Sequence, residues 1–116
     1  MYFFPEITAA AARDCGMRAC LGLIAVDFPT AYARNLDEYL YKGLALHTAL
    51  QTESLLHTAF APHALYTVSE PGLERIGRLA ADLNIPIHIH VHETAAEVAD
   101  FQARHGCRPL ARLEQL

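Results

Sequence analysis

Three segments rich in apolar residues constrain the fold of this chain more than any other feature of its sequence. They cover Met17 to Val26, Leu55 to Ala61 and Ile85 to His92. The first of them is nearly continuous in apolar residues, which is typical of a strand that is buried on both faces, as the strands of parallel sheets are. We therefore expect three strands in sequential order, near residues 18–25, 55–61 and 86–92.

Segments with helical periodicity separate and follow the apolar runs. The first predicted helix has Pro5 in its first turn and runs to Cys15, and the second covers Leu36 to Leu50. The third lies between Ser69 and Asn84. The fourth opens at Thr94, runs to about His105 and stops at Gly106, and a last helical stretch starts at Arg108-Pro109. The clearest helix start is Thr94-Ala95-Ala96-Glu97, which has the spacing of a capping box. Because each connection between strands contains a helix long enough to cross over, the sequence predicts an α/β fold with parallel strands.

The overall composition excludes several classes of protein. With 53% hydrophobic and 19% charged residues, the chain is too apolar for disorder. No apolar run approaches the ~18–20 residues of a membrane span. A net charge of −4 without a cluster of Lys or Arg argues against nucleic acid or membrane as a partner. The cysteines (Cys15, Cys20 and Cys107) follow no metal-ligand spacing, so we expect reduced thiols and a cytoplasmic location.

The segment Ile87-His88-Ile89-His90-Val91-His92-Glu93 is the strongest chemical signal in the sequence. Alternation along a strand predicts that His88, His90 and His92 share one face while the aliphatic residues share the other. Three imidazoles in a plain apolar core would cost several kcal/mol unless they were hydrogen-bonded or bound to a metal. Two interpretations follow: hydrogen-bonded histidines that line a barrel, or a functional site.

A second signal, Ala61-Pro62-His63, ends the preceding strand. The carboxyl ends of parallel strands meet at one edge, so His63 is predicted to lie near His90 and Glu93, where active sites of such folds occur. Tyr66 and Thr67 follow on the same loop and are further candidates. The chain has no G-x-S-x-G motif, and imidazoles with a nearby carboxylate suit metal-assisted hydrolysis.

Two of these segments, Phe60 to Ser69 and Ile85 to Thr94, resemble the amidohydrolase superfamily. The likeness is strongest to its methylthioadenosine/S-adenosylhomocysteine deaminase branch, near the triazine hydrolases, and it extends along essentially the whole chain. It implies a (β/α)8 barrel and one divalent metal, zinc or iron. It also implies hydrolytic release of ammonia from a small purine nucleoside.

The resemblance also implies roles for individual residues. His90 corresponds to a metal ligand on the fifth strand of the barrel, and Glu93 to the acid/base that also contacts substrate. His63 corresponds to a substrate-binding histidine, and Arg34 to an arginine for the polar tail of the substrate. The family's other metal ligands have no counterpart in this sequence.

A complete barrel needs about 250 residues. Residues 1–116 are therefore expected to be an internal fragment of a barrel domain, inactive when isolated, and the family allows a homo-oligomer. Two alternatives stay open. One is another amidohydrolase, such as a guanine or cytosine deaminase or a triazine chlorohydrolase. The other is a non-catalytic, His-rich metal-binding module.

Overall fold

A computed structural model describes residues 2–116, in which helices alternate with parallel strands. The elements are α1 (Pro5–Asp14), β1 (Ala19–Ala25), α2 (Leu36–Leu50), β2 (Leu56–Pro62), α3 (Glu70–Leu83), α4 (Ala95–His105) and α5 (Pro109–Leu113). Strands β1 and β2 pair in parallel, from Ala19 opposite Leu56 to Ala25 opposite Pro62. The expected α/β fold with parallel strands is confirmed.

The third predicted strand, near residues 86–92, is reduced to one parallel bridge between Ile87 and Phe60. The Phe60 N–H donates to the Pro86 carbonyl at 2.9 Å, and the His88 N–H donates to the Phe60 carbonyl at 2.8 Å. These two bonds have the pattern of a parallel ladder. The segment therefore follows β2 in the predicted direction, but it is not a regular strand.

Pro62 explains why this ladder stops. The next rung would require an N–H from Pro62, and proline has none to donate. The His90 N–H instead donates to the carbonyl of His63, one residue further along, at 3.1 Å. The prediction of a regular strand over 86–92 was therefore wrong. The periodicity of this segment does not reveal that Pro62, on the neighbouring strand, lacks the N–H that a continued ladder needs.

The main core lies where α2 and α3 cover one face of the two strands. Its largest fully buried side chains are Leu23, Tyr39, Phe60, Val68 and Ile76. A second, smaller cluster joins α1 to the amino-terminal ends of the strands and contains Ala9, Ala12, Leu21, Leu50 and Leu56. None of the helices in residues 2–116 is both long and apolar enough to cross a membrane.

Residues at the helix ends explain some of the helix boundaries. Asn35 caps α2 by accepting a hydrogen bond from the Glu38 N–H at 3.0 Å. Asn84 ends α3 in the left-handed region with φ 52°. Ser69 was expected to cap α3, but its side chain makes no cap bond. Its N–H donates instead to the Asp27 carboxylate at 2.7 Å, which ties the start of α3 to the segment after β1.

Two glycines of α3 provide a test of this packing. A Cβ at Gly72 would lie 2.9 Å from Leu36 Cδ2 and 3.0 Å from Val68 Cγ1, whereas one at Gly77 would meet nothing within 4 Å. Replacing a helical glycine by alanine gains about 1 kcal/mol in helix propensity. At Gly72 the overpacking cost of about 1–3 kcal/mol should outweigh this gain, whereas Gly77 has no such cost. We expect Gly72→Ala to lower the melting temperature and Gly77→Ala to raise it. Thermal unfolding that moved in the same direction for both variants would contradict this packing.

Candidate active site

The candidate site is built on the backbone at the carboxyl end of β2. The His63 N–H donates to the Ala25 carbonyl at the end of β1, and the His63 carbonyl accepts from the His90 N–H, both at 3.1 Å. His63 is thereby held between the two neighbouring segments. The His63 and His90 rings consequently lie side by side, with their centroids 5.3 Å apart and their planes at 75°.

Thr67 orients the ring of His63. Its Oγ1 lies 3.1 Å from His63 Nδ1 and accepts a hydrogen bond from the Ala64 N–H at 3.0 Å. The same hydroxyl lies 3.1 Å from the Ala64 carbonyl. Since Thr67 occupies Nδ1, Nε2 is the nitrogen of His63 that can meet a bound molecule.

The expected row of three histidines ends at His90. His88 and His90 are neighbours, with ring centroids 6.4 Å apart. His92 has a left-handed backbone with φ 59°, which breaks the alternation of a strand. Its Nε2 accepts from the Leu110 N–H of α5 at 3.4 Å. The prediction that all three imidazoles share one face is therefore wrong for His92.

Tyr66 connects Glu93 to this pair of histidines. Its hydroxyl donates to Glu93 Oε2 at 3.5 Å, and its ring meets the His63 ring edge-on at 5.8 Å. Desolvation raises the pKa of Tyr66, and the charges of Glu93 and Glu97 add to the effect. The phenol therefore stays protonated and can serve as a donor to the Glu93 carboxylate.

Arg34 contacts a different partner. Its Nε donates to Glu38 Oε2 at 2.8 Å, and its side chain is 86% exposed. The hydrogen bonds from Arg34, followed by that from Lys42, lower the pKa of Glu38 to about 2. Glu38 is therefore ionised at neutral pH, and no contact brings Arg34 to His63, His90 or Glu93 in the structure of residues 2–116.

Imidazole nitrogen is a preferred zinc ligand, so His90 is chemically suited to bind this metal. However, in the part of the chain that the structure describes, no three His, Cys, Asp or Glu side chains are grouped to hold a metal ion. Zinc sites in proteins use three or four such ligands. These residues can therefore supply part of a metal site but not a complete one.

Glu97 makes more hydrogen bonds in the structure than its place in a capping box predicts. The capping box was predicted and is present, with Thr94 and Glu97 each accepting from the backbone of the other. The Glu97 carboxylate also accepts from the backbone of His92 and Glu93. Only the capping-box spacing signalled this residue, and that spacing accounts for helix initiation alone.

Comparison with known proteins places these residues in context. A sequence profile described as the amidohydrolase family matches residues 1–115. The chain is 47% identical over 116 residues to 5-methylthioadenosine/S-adenosylhomocysteine deaminase of Saccharophagus degradans, covering 100% of this chain and 26% of that protein. It is 40% identical over 115 residues to 5'-deoxyadenosine deaminase of Methanoregula boonei, covering 99% and 26% respectively.

A solved structure shows that the fold of this chain is also similar to that of a deaminase. The chain is similar to the crystal structure of an adenosine deaminase from Xanthomonas campestris with bound zinc, with a TM-score of 0.96 and 48% identity. The similarity covers 99% of this chain and 26% of that one. The chain thus spans about a quarter of the length of the proteins that it matches.

Proposed function

The chain belongs to the amidohydrolase family, and we propose that it forms part of a metal-dependent deaminase of purine nucleosides. The proposed substrates are nucleosides of the methylthioadenosine and S-adenosylhomocysteine type. Water replaces the amino group of the purine ring, and ammonia is released. The observation that carries the proposal is 47% identity along the entire chain to a deaminase with this name.

In this proposal residues 1–116 are an internal piece of a barrel domain. A complete (β/α)8 barrel takes about 250 residues, and the matched relatives are about four times as long as this chain. The strands that complete the barrel, and the remaining metal ligands, are then supplied by other parts of the polypeptide. A cytoplasmic location and a homo-oligomeric state stay predictions.

His90 is the proposed metal ligand within this chain. Its imidazole suits zinc better than calcium or magnesium, which prefer oxygen ligands, and the similar Xanthomonas structure contains zinc. When bound, the metal lowers the pKa of a water molecule so that it can attack at neutral pH. Iron is the alternative metal.

Glu93 and His63 are the proposed groups for proton transfer and substrate binding. The Glu93 carboxylate takes a proton from the attacking water and delivers it to the purine, while Tyr66 donates to Oε2 from 3.5 Å. His63 presents Nε2 to the ring because Thr67 holds its Nδ1. Arg34 stays a prediction for the polar tail of the substrate, and that use requires its ion pair with Glu38 to open.

Ammonia release by the full-length, zinc-loaded protein tests the proposal. We expect turnover of methylthioadenosine, S-adenosylhomocysteine and 5'-deoxyadenosine, and none of guanine, cytosine or a chlorotriazine. Release of ammonia from guanine or cytosine alone, or of chloride from the triazine, would identify another amidohydrolase. Tight, stoichiometric zinc binding by residues 1–116 without any turnover by the full-length protein would favour the metal-binding module.

A further inference from the structure

We infer that Glu97 is a positioning residue, which fixes the backbone turn that carries the acid/base Glu93 of the proposed function. Glu97 lies in the first turn of α4, four residues after Glu93. Its two carboxylate oxygens accept hydrogen bonds from three consecutive backbone N–H groups. The distances are 3.2 Å to His92 N, 2.6 Å to Glu93 N and 3.4 Å to Thr94 N.

Helix capping does not account for all three bonds. In a capping box the carboxylate bonds only the N–H of the cap residue, here Thr94, whose Oγ1 accepts from the Glu97 N–H at 3.0 Å. The bonds to His92 and Glu93 reach back beyond the helix into the preceding turn. The bond to Glu93, at 2.6 Å, is the shortest of the three.

The turn held in this way contains a strained residue. His92 has φ 59°, a left-handed conformation that side chains with a Cβ disfavour. Glu97 holds its N–H, and the Leu110 N–H holds its ring Nε2 at 3.4 Å. The conformation of His92 sets the direction in which the chain leaves His90, and hence where the Glu93 side chain emerges.

The Glu93 side chain makes few contacts within residues 2–116. It is exposed, and its one hydrogen bond from a neighbouring side chain in residues 2–116 is the contact of 3.5 Å from Tyr66. The position of the carboxylate is therefore set mainly by its backbone. If the backbone loosens, proton transfer should slow while the substrate and metal sites persist.

The test compares Glu97→Ala with Thr94→Ala in the full-length, zinc-loaded protein. Both variants disrupt the capping box, but only Glu97→Ala removes the acceptor of the three N–H groups. We expect Glu97→Ala to lower kcat by about 10- to 100-fold, the cost of misplacing a reacting group by roughly 1 Å. KM and zinc content should stay near wild type. Thr94→Ala should lower the melting temperature but keep kcat within about threefold, because capping affects stability rather than the chemical step.

Glu97→Gln serves as the second variant if Glu97→Ala fails to fold. Its amide oxygen can still accept, whereas its NH2 group cannot, so we expect a kcat between those of wild type and Glu97→Ala. Equal loss of kcat in Thr94→Ala and Glu97→Ala would show that Glu97 only caps the helix, and would overturn the inference.

Amide hydrogen exchange separates this inference from the proposed function. In Glu97→Ala, and less in Thr94→Ala, exchange at His92, Glu93 and Thr94 should accelerate. Unchanged protection would overturn the inference whatever the protein's activity. Absence of ammonia release from every nucleoside by the wild-type protein would instead refute the proposed function, and with it the catalytic purpose of the turn.

Discussion

Glu93→Gln is expected to lower the turnover of the proposed full-length deaminase by about 10²- to 10⁴-fold, the usual contribution of general acid–base catalysis. Glutamine has nearly the same shape and can still accept the Tyr66 hydroxyl that lies 3.5 Å from Oε2. Its amide, however, cannot take a proton from water and pass it to the purine. Because His90 is untouched, elemental analysis should find a zinc content equal to that of the wild type.

Glu74→Gln is the matched control for this experiment. Glu74 lies on α3, where its carboxylate pairs with Arg78 at 3.6 Å on the surface. The same change of charge at this position should leave ammonia release within about twofold of wild type, because exposed ion pairs contribute little. Near-normal turnover of Glu93→Gln would refute the proton-transfer role, and Glu93 would then be only a favourable charge before the start of α4.

The parts of the fold that the sequence predicts well are those with strong local signals. Helix α2 has the predicted bounds, Leu36–Leu50, because its apolar stripe and the Asn35 cap act within a few residues of each other. The capping box at Thr94 and the left-handed glycine at Gly106 frame α4 as expected. The failure concerns 86–92, whose pairing depends on Pro62, a residue on another segment.

In the candidate site, too, some features could be predicted from the sequence and others could not. The proximity of His63 and His90 could be predicted, because the carboxyl ends of neighbouring parallel strands share one edge of a sheet. The left-handed conformation of His92 could not, because only a few per cent of non-glycine residues adopt it, although histidine does so more often than most. The hydrogen bonds from the His92 and Glu93 N–H groups to the Glu97 carboxylate depend on that conformation. The sequence spacing therefore predicts the helix cap but not these two bonds.

His90→Ala should remove metal and activity together from the full-length protein. Loss of a residue that only orients a ligand typically weakens metal affinity about 10- to 100-fold, and loss of a direct ligand should cost at least as much. Elemental analysis should therefore find the variant depleted of zinc, and ammonia release should fall in proportion. The physical reason is that the residues described here offer no group of three donors that could replace the lost imidazole.

His88→Ala is the matched control, because it removes the same type of side chain from the same segment. The His88 ring is exposed and its centroid lies 6.4 Å from that of His90. Zinc content and turnover should therefore stay near wild type in this variant. If His88→Ala lost the metal while His90→Ala kept it, the ligand would be His88. The Glu93 carboxylate would then lie five residues beyond the metal ligand rather than three, and its proposed access to the attacking water would have to be abandoned.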